Sequence, residues 1–457
     1  MVSLTRKIAE GTALITLANI ISAVFNLLSF IFIVRILDRF EYGLLVLALS
    51  AISIASSFLD FGIGGVITAD LSRERKSKRF DRAKSLLYRY SQFEVIVGFL
   101  FFIIIFFSNT YFEQRYSETV AKLIRISAFL IITNALKKIF LTTFNSHLDF
   151  KSIFSLNIEE SFFKFIYIIL FGYYLELGIY GVMLAYLASS ITALLLNLPS
   201  YFGIIKDYIS VTRSKECFFL KTITSHGKWV ISIRPVKQLG DNLPPWIIQF
   251  FLGVEAVAVF NVAIRVTAYV ISLLSPLESV LMPIVSQEIR NIEKLNKIIN
   301  KSIKYSIWFS IPIITFSLIF SPFAFNSLFG NSYIESTRIF QILIFISLLY
   351  ALNLVMRPLF FGFKVQKYLF IVYVINIVIL SLFGTILTLL AGLYGMALTF
   401  IIRGFVAFLL RYRYIKIIGI RIEFREMTRI DEYDKELLKK IKRKIRKYMN
   451  KLSRSNI

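Results

Sequence analysis

A few charged side chains lie inside long apolar stretches, and they are the residues of this sequence best placed to do chemistry. An arginine or lysine at the centre of an inserted helix costs roughly 2.5–3.5 kcal/mol. Such residues are therefore expected to face a watery cavity, or one another, rather than lipid. They are Arg265 in "NVAIRVTAYVISLL", Arg403, Lys164, and the group Arg234, Lys237 and Asp241. Asp60 lies nearer a cytoplasmic end, where a side chain that reaches back to the membrane surface is the better explanation.

Arg234, Lys237 and Asp241 follow an i, i+3, i+7 spacing, which predicts that one helix face carries all three. The segment "NLPPW" follows directly, and its two prolines predict a bend within the same membrane span. A bent helix with a charged face belongs against a cavity. A buried ion pair such as Lys237–Asp241, tying two helices together, is the other interpretation, and both could hold at once.

The deep cations outnumber the deep acids, so pairing alone cannot neutralise them. A cationic cavity within the membrane favours an anionic substrate, and the planar fork of arginine suits phosphate in particular. The hypothesis is that five cations bind the substrate, namely Arg265, Arg234, Lys237, Arg403 and Lys164. Asp241 and Asp60 are then candidates for ion coupling or ion pairing.

The elements that must position these residues are membrane-spanning helices. Hydrophobic residues make up 57% of the 457 residues and charged residues only 18%, which is too little charged surface for a soluble protein of this length. About 20 apolar residues cross a bilayer. Twelve spans are predicted, at roughly 11–36, 42–70, 90–108, 121–143, 153–174, 179–203, 226–251, 256–284, 303–322, 335–360, 367–389 and 391–412.

The charges of the connecting loops predict the orientation. Lysine and arginine crowd alternate connections, such as "SRERKSKRFDRAK" and "RNIEKLNKIINKSIK", and are scarce in the others. The positive-inside rule then places both termini on the cytoplasmic side of the cell membrane. Residues 413–457 form a basic segment with apolar residues every three or four positions. This pattern predicts a helix lying on anionic lipid, or equally a solvated tail that enforces the topology.

An internal repeat divides the chain. The segment "GIYGVMLAY" at 178–186 returns as "GLYGMALTF" at 392–400, and "LDRFEYGLLVLA" at 37–48 is echoed by "LGVEAVAVFNVA" at 252–263. Six spans separate the copies, so the halves share one orientation and are related about the membrane normal, as in some transporters. The predicted parts are an N-lobe (1–205), a linker (206–225), a C-lobe (226–412) and the tail (413–457).

Other chemistries find little support in the residues. One cysteine and two histidines argue against a disulfide framework and a histidine metal site, and no nucleotide-binding or metalloprotease motif is present. No cofactor and no metal are expected. The net charge of +25 comes from the loops between apolar runs, so nucleic acid is not an expected partner. The predicted loops are too short for a catalytic domain, and we expect the protein not to be an enzyme.

Two segments resemble a known family. "FIVRILDRFEYGLLVLALSAISIASSFLDFGIGGVI" at 32–67 is similar to the first two spans of Wzx-type polysaccharide flippases. "FLGVEAVAVFNVAIRVTAYVISLLSPLESVLMPIVSQ" at 251–287 resembles their seventh-to-eighth-span signature, with Arg265 on the signature arginine. Phe260 stands where tyrosine is usual and Ala258 where glycine is common. The family belongs to the multidrug/oligosaccharidyl-lipid/polysaccharide (MOP) exporter superfamily, with the MATE antiporters and MurJ.

The resemblance implies an all-α membrane protein of twelve helices in two six-helix lobes. It also implies flipping of a polyprenyl-phosphate- or polyprenyl-diphosphate-linked oligosaccharide by alternating access, driven by H⁺ or Na⁺. Membrane lipids and glycan-assembly proteins are further expected partners. A MATE-type drug antiporter is the first alternative, although it would favour acidic cavity residues. A membrane glycan polymerase or ligase is the second, although such enzymes generally need a sizeable external loop.

Overall fold

The protein is described from a computed structural model. The structure describes residues 2–60, 62–108, 113–114, 118–212, 219, 228–274, 281–282, 284–285 and 287–422. The side chains of residues 2–13, 60, 209 and 228–231 lie outside this description. So do the predicted amphipathic tail beyond residue 422 and most of the predicted linker. Every regular element in the described part is helical, which confirms the predicted all-α class.

The described residues of the amino-terminal half (the N-half) form seven α-helices. They are α1 (Val2–Ile36), α2 (Arg39–Asp60), α3 (Ile63–Lys76), α4 (Phe80–Phe107), α5 (Glu118–Ser146), α6 (Phe150–Tyr167) and α7 (Gly178–Ile209). A π-helical turn, Ile168–Tyr174, extends α6. The start of α6 is capped by Asp149, whose carboxylate accepts from the backbone N–H of Ser152.

Seven more α-helices are described in the carboxy-terminal half (the C-half). They are α8 (Lys228–Asn242), α9 (Pro244–Leu252), α10 (Val254–Ser272), α11 (Ile292–Phe329), α12 (Ile334–Leu343), α13 (Ile346–Gly362) and α14 (Gln366–Ile417). The interruption between α8 and α9 falls at Leu243, directly before Pro244 and Pro245, as the prolines predicted. The predicted lobe boundaries at residues 205 and 412 fall inside helices, because α7 continues to Ile209 and α14 to Ile417.

Eight described helices are long and apolar enough to cross a membrane, and α12 with α13 forms a ninth, bent by 45°. This supports the predicted multi-pass membrane class. The count of twelve spans stays a prediction, because it requires α14 to cross twice and the shorter helix pairs to count as spans. Within α14 the backbone leaves helical geometry at Ala391 and Gly392.

The internal repeat has a structural counterpart in two glycine pairs. Gly178 and Gly392 both have positive φ, +54° and +58°, a conformation that side chains with a Cβ rarely adopt. Three residues later, Gly181 and Gly395 each press against a carbonyl of the preceding helix, that of Phe171 and that of Leu387. A Cβ at either position would collide with that carbonyl. The repeated sequence therefore corresponds to the same tight chain reversal in each half.

The largest buried cluster joins the two halves. Helix α2 packs along α10, and buried residues of both, such as Leu44, Leu47, Val257 and Phe260, belong to one core. At one end of this contact Gly43 lies against the backbone of Val254, too close to admit a side chain. The halves are thus tightly joined along α2 and α10, and the space between them widens elsewhere.

Candidate functional site: a cationic chamber between the halves

Two adjoining cavities, of about 730 and 450 Å³, lie where N-half helices face α8 and α10. They share Lys137, Glu160, Lys164 and Tyr186, so we treat them as one chamber. The larger cavity is lined mainly by α1, α6 and α10, and the smaller by α2, α5 and α7, with α8 contributing Arg234 and Gln238. Cavities in this size range accommodate drug-sized ligands.

Arg265 enters the larger cavity from α10 and is half-buried. Its guanidinium carbon lies 5.7 Å from the centre of the Phe30 ring, and the phenols of Tyr42, Tyr186 and Tyr269 lie around it. Within the described residues no carboxylate oxygen lies within 4 Å of this guanidinium. Aromatic rings and hydroxyls therefore surround this permanent cation, and its guanidinium can also bind an anionic ligand.

Lys164 lies across the same cavity, on α6. Its ammonium is 5.1 Å from the centre of the Tyr186 ring, so Tyr186 connects the two predicted cations Lys164 and Arg265. The neighbouring Lys137 forms an ion pair with Glu160, which is the carboxylate among the residues lining the chamber. Glu160 is thus neutralised within the N-half, and the chamber remains positively charged.

Arg234 lines the smaller cavity together with Lys138 and Gln238. The ammonium of Lys138 donates to the Ser56 carbonyl at 2.8 Å. Gln238 donates from its amide to Ser53 Oγ at 2.8 Å, so α8 of the C-half is hydrogen-bonded to α2 of the N-half at this point. Among the described residues that line the chamber, Glu160 supplies the one carboxylate and five supply cations: Lys137, Lys138, Lys164, Arg234 and Arg265.

A wall of small polar side chains faces these cations. Asn19, Ser22, Asn26 and Ser29 follow one face of α1 and line the larger cavity. Asn26 donates from its amide to Ser161 Oγ at 3.2 Å, and Ser22 donates to the Asn157 carbonyl at 3.1 Å. These residues offer hydroxyl and amide groups that could bind sugar hydroxyls, while the rings of Tyr186 and Tyr269 offer flat apolar faces.

Polar contacts join the halves at the α1–α2 turn. Tyr42 donates to Asn261 Oδ1 at 2.7 Å, linking α2 to α10. Arg35 donates to the carbonyls of Leu328 and Ser327, at 2.8 and 2.5 Å. Arg39 donates to the Ser332 carbonyl and lies over the ring of Tyr333. The halves are therefore closed at the end of the molecule that contains this turn.

Three predicted site residues lie elsewhere. Lys237, Asp241 and Arg403 line a separate cavity of about 260 Å³ that is enclosed by α8, α13 and α14 and shares no lining residue with the chamber. The predicted common face of Arg234, Lys237 and Asp241 is therefore divided, with Arg234 on the chamber and the other two on this cavity. The predicted ion pair is present, because Lys237 Nζ lies 3.9 Å from Asp241 Oδ2.

The hypothesis grouped Arg265 with Arg234 and Lys237 in one substrate site, whereas the side chains that surround Arg265 are aromatic rings from both halves. Lys137 and Lys138 were missed, although they lie within the fourth predicted span. The signal that could have found them is their position, six and five residues before the end of that apolar run. Asp60 ends α2, and its side chain lies outside the described part of the chain, so its predicted role is untested.

Comparison with known proteins agrees with this architecture. Residues 32–338, about two thirds of the chain, match the family model described as "Polysaccharide biosynthesis protein". The teichuronic acid biosynthesis protein TuaB of Bacillus subtilis (strain 168) is 23% identical over 361 residues, which cover 77% of this chain and 70% of that protein.

Solved transporter structures share the fold. An inward-facing MATE multidrug transporter of the MOP superfamily superposes with a TM-score of 0.73 at 16% identity, covering 87% of this chain and 95% of the other. The lipid II flippase MurJ, in an inward closed conformation, gives 0.69 at 16% identity, covering 90% and 88%. The chain therefore belongs to the polysaccharide biosynthesis protein family and has the fold of the MOP exporter superfamily.

Proposed function

We propose that the protein flips a polyprenyl-phosphate- or polyprenyl-diphosphate-linked oligosaccharide from the cytoplasmic to the outer leaflet of the cell membrane. The observation that carries the proposal is the chamber between the halves, where Arg265 and Lys164 flank Tyr186 and no carboxylate pairs with Arg265 in the described residues. A phosphate would supply the missing negative charge. Family membership supports a role in glycan synthesis, since TuaB is a teichuronic acid biosynthesis protein.

The chamber offers each part of such a substrate a matching surface. The cations of Arg265, Lys164 and Arg234 would hold the phosphate, because charge-assisted hydrogen bonds to phosphate are among the strongest in proteins. The amide and hydroxyl wall of α1 would bind sugar hydroxyls. The polyprenyl chain needs no polar partner and would extend into the lipid.

The contacts at the α1–α2 turn support an alternating-access mechanism. In the orientation predicted by the loop charges this turn is external, so the described state is closed to the outside. Export would require the Tyr42–Asn261 hydrogen bond and the Arg35 and Arg39 contacts to break, while a new closure forms on the cytoplasmic side. A coupling ion, H⁺ or Na⁺, would supply the energy, with Asp241 and Asp60 as candidate sites.

The alternative is a MATE-type antiporter for small molecules, which the shared fold permits. A drug antiporter of that kind handles cations and would favour acidic groups in its chamber. Here Glu160, the carboxylate on the described chamber wall, is already paired with Lys137. The charge of the chamber therefore favours an anionic substrate over a cationic one.

Glycan export in cells tests the proposal. A host lacking its own flippase is complemented with wild type or with the double variant Arg265→Ala, Arg234→Ala, and surface glycan is measured alongside the amount of inserted protein. We expect the double variant to insert normally and to export little glycan. Full export by the double variant would exclude the proposed phosphate site.

A further inference from the structure

The break between α8 and α9 is a gap in the hydrogen bonding of one helix rather than a loop. Leu243, which separates the two helices, has helical backbone angles, φ −74° and ψ −35°, and its N–H donates to the Leu239 carbonyl at 3.0 Å. The helical donor for the Gly240 carbonyl would be residue 244, four positions on, but Pro244 has no N–H. Gly240 is buried. Its carbonyl therefore needs a partner from another part of the chain, because an unpaired buried carbonyl is costly.

Arg403 of α14 supplies that partner. Its Nη1 donates to the Gly240 carbonyl at 2.9 Å, and its Nη2 lies 3.0 Å from Asp241 Oδ1. One guanidinium therefore binds the freed carbonyl and the carboxylate of the next residue at once, as its planar fork allows. The guanidinium carbon also lies 4.9 Å from the centre of the Phe400 ring, so the fork packs against its own helix.

The close approach of α14 to α8 depends on the glycine at position 240. A Cβ there would lie 3.2 Å from Ile377 Cγ1 and 4.0 Å from Arg403 Nη1, tight enough to push α14 away. The proline removes a donor, the glycine gives access to the freed carbonyl, and the arginine replaces the donor. We name this arrangement of Gly240, Asp241, Pro244 and Arg403 the α8 clamp.

The α8 clamp lies next to the residues that α8 contributes to the chamber. Arg234 and Gln238 line the smaller cavity of the chamber, and Gln238 donates to Ser53 Oγ of the N-half at 2.8 Å. Gln238 precedes Asp241 by three residues, less than one helical turn. Within that turn α8 is therefore bonded to the N-half by Gln238 and to α14 by the α8 clamp.

We propose that Arg403 is a positioning residue, which replaces the missing N–H of Pro244 and thereby keeps the chamber residues of α8 in place. Arg403 lines neither cavity of the chamber, and both arms of its fork are engaged. It acts on the substrate through α8 and does not touch it. This effect on the chamber rests on the proposed function, whereas the α8 clamp exists whatever the protein carries.

The test restores the missing N–H. Pro244→Ala gives residue 244 an N–H that can pair with the Gly240 carbonyl, because the backbone at Leu243 is already helical. Arg403→Met keeps the length of the side chain and removes its donors. The melting temperature of purified full-length protein in detergent is measured for wild type, both single variants and the double variant. We expect Arg403→Met to lower the melting temperature, and the drop to be about half as large in the Pro244→Ala background, where only the Asp241 contact is lost.

Pro322→Ala is the matched control. Pro322 also interrupts a C-half helix, α11, but the carbonyl that it frees, that of Leu318, accepts from Ser321 Oγ at 3.2 Å. Pro322→Ala should leave the drop caused by Arg403→Met unchanged. Equal drops in the wild-type and Pro244→Ala backgrounds, or the same rescue by Pro322→Ala, would overturn the proposal. Should Arg403→Met not fold, Arg403→Lys replaces it in the same comparison, because one ammonium cannot reproduce the fork.

Affinity for a short-chain polyprenyl diphosphate separates positioning from direct binding. We expect Arg403→Met to weaken binding by about tenfold, because the phosphate loses its contact with a displaced Arg234. Pro244→Ala should restore the affinity of Arg403→Met, although it returns no charge. Binding that Arg403→Met leaves unchanged, or a loss that Pro244→Ala does not reduce, would overturn the positioning role. Absence of binding by wild type would contradict the flippase proposal instead, and the melting comparison, which uses no substrate, still decides on the α8 clamp.

Discussion

Replacing Arg265 by glutamine removes one charge from the chamber and retains much of the side-chain volume. Because no carboxylate pairs with Arg265 in the described residues, the change orphans no buried acid there. The fold loses mainly the contact with the Phe30 ring, worth about 0.5–2 kcal/mol. We therefore expect Arg265→Gln to insert and fold.

The cost to substrate binding should be larger. A hydrogen bond to a charged group contributes about 1.5–3 kcal/mol, and each 1.4 kcal/mol is a factor of ten in affinity. Loss of the Arg265–phosphate contact should therefore weaken binding of a short-chain polyprenyl diphosphate by roughly 10- to 150-fold. Titration of the purified variant with that analogue measures this directly.

Arg125→Gln is the matched control. Arg125 also lies over a phenylalanine ring, with its guanidinium carbon 5.6 Å from the centre of Phe106, but it is exposed and lines neither cavity of the chamber. It should bind the analogue as wild type does. Equal affinities of Arg265→Gln and Arg125→Gln would refute the assignment of Arg265 to phosphate.

Three further changes probe the fold and its closure. Gly43→Ala should weaken the close contact between the halves at Val254 and slow export. Gly203→Ala is the control, because a Cβ there meets nothing within 4 Å, and it should export normally. Equal export by the two variants would contradict the tight contact at Gly43. Gly392→Ala should lower the melting temperature, since φ +58° with ψ −139° is a sparsely populated conformation that costs an alanine about 1–3 kcal/mol; an unchanged melting temperature would exclude strain there. Burial, with a nearby arginine, lowers the pKa of His147 to about 4, against about 6.5 when unfolded. The unfolded state therefore takes the proton first, and stability should fall from pH 6.5 towards 4, less so in His147→Gln; equal slopes would refute this.

Much of the architecture could be predicted because a bilayer imposes strict rules on sequence. Long apolar runs must be helical, which predicted the all-α fold, and the two prolines after Asn242 predicted the helix break at Leu243. The repeated glycines at 178 and 392 marked equivalent chain reversals. Each of these features depends on one short segment of the sequence, so it can be predicted from that segment alone.

The composition of the chamber was harder to predict, since it depends on how distant helices meet. Arg265 and Lys164 do line one chamber, but their connection through Tyr186 has no signature in spacing. Lys237 and Arg403 also lie in apolar runs, yet they face a different cavity. Helix α8 contributes to two cavities, and α14, which carries Arg403, contributes no described residue to the chamber. Residue type and depth in the apolar runs identified the charged positions. Which of the cavities each position faces is decided by tertiary packing alone.

Translocation in proteoliposomes tests the central claim most directly. Purified protein is reconstituted with a fluorescent polyprenyl-diphosphate-linked oligosaccharide, and the label that reaches the opposite leaflet is measured with a membrane-impermeant quencher. We predict translocation by wild type and by Arg125→Gln, and a rate at least tenfold lower for Arg265→Gln. Translocation by Arg265→Gln at the wild-type rate, or none by wild type under an imposed H⁺ or Na⁺ gradient, would contradict the account.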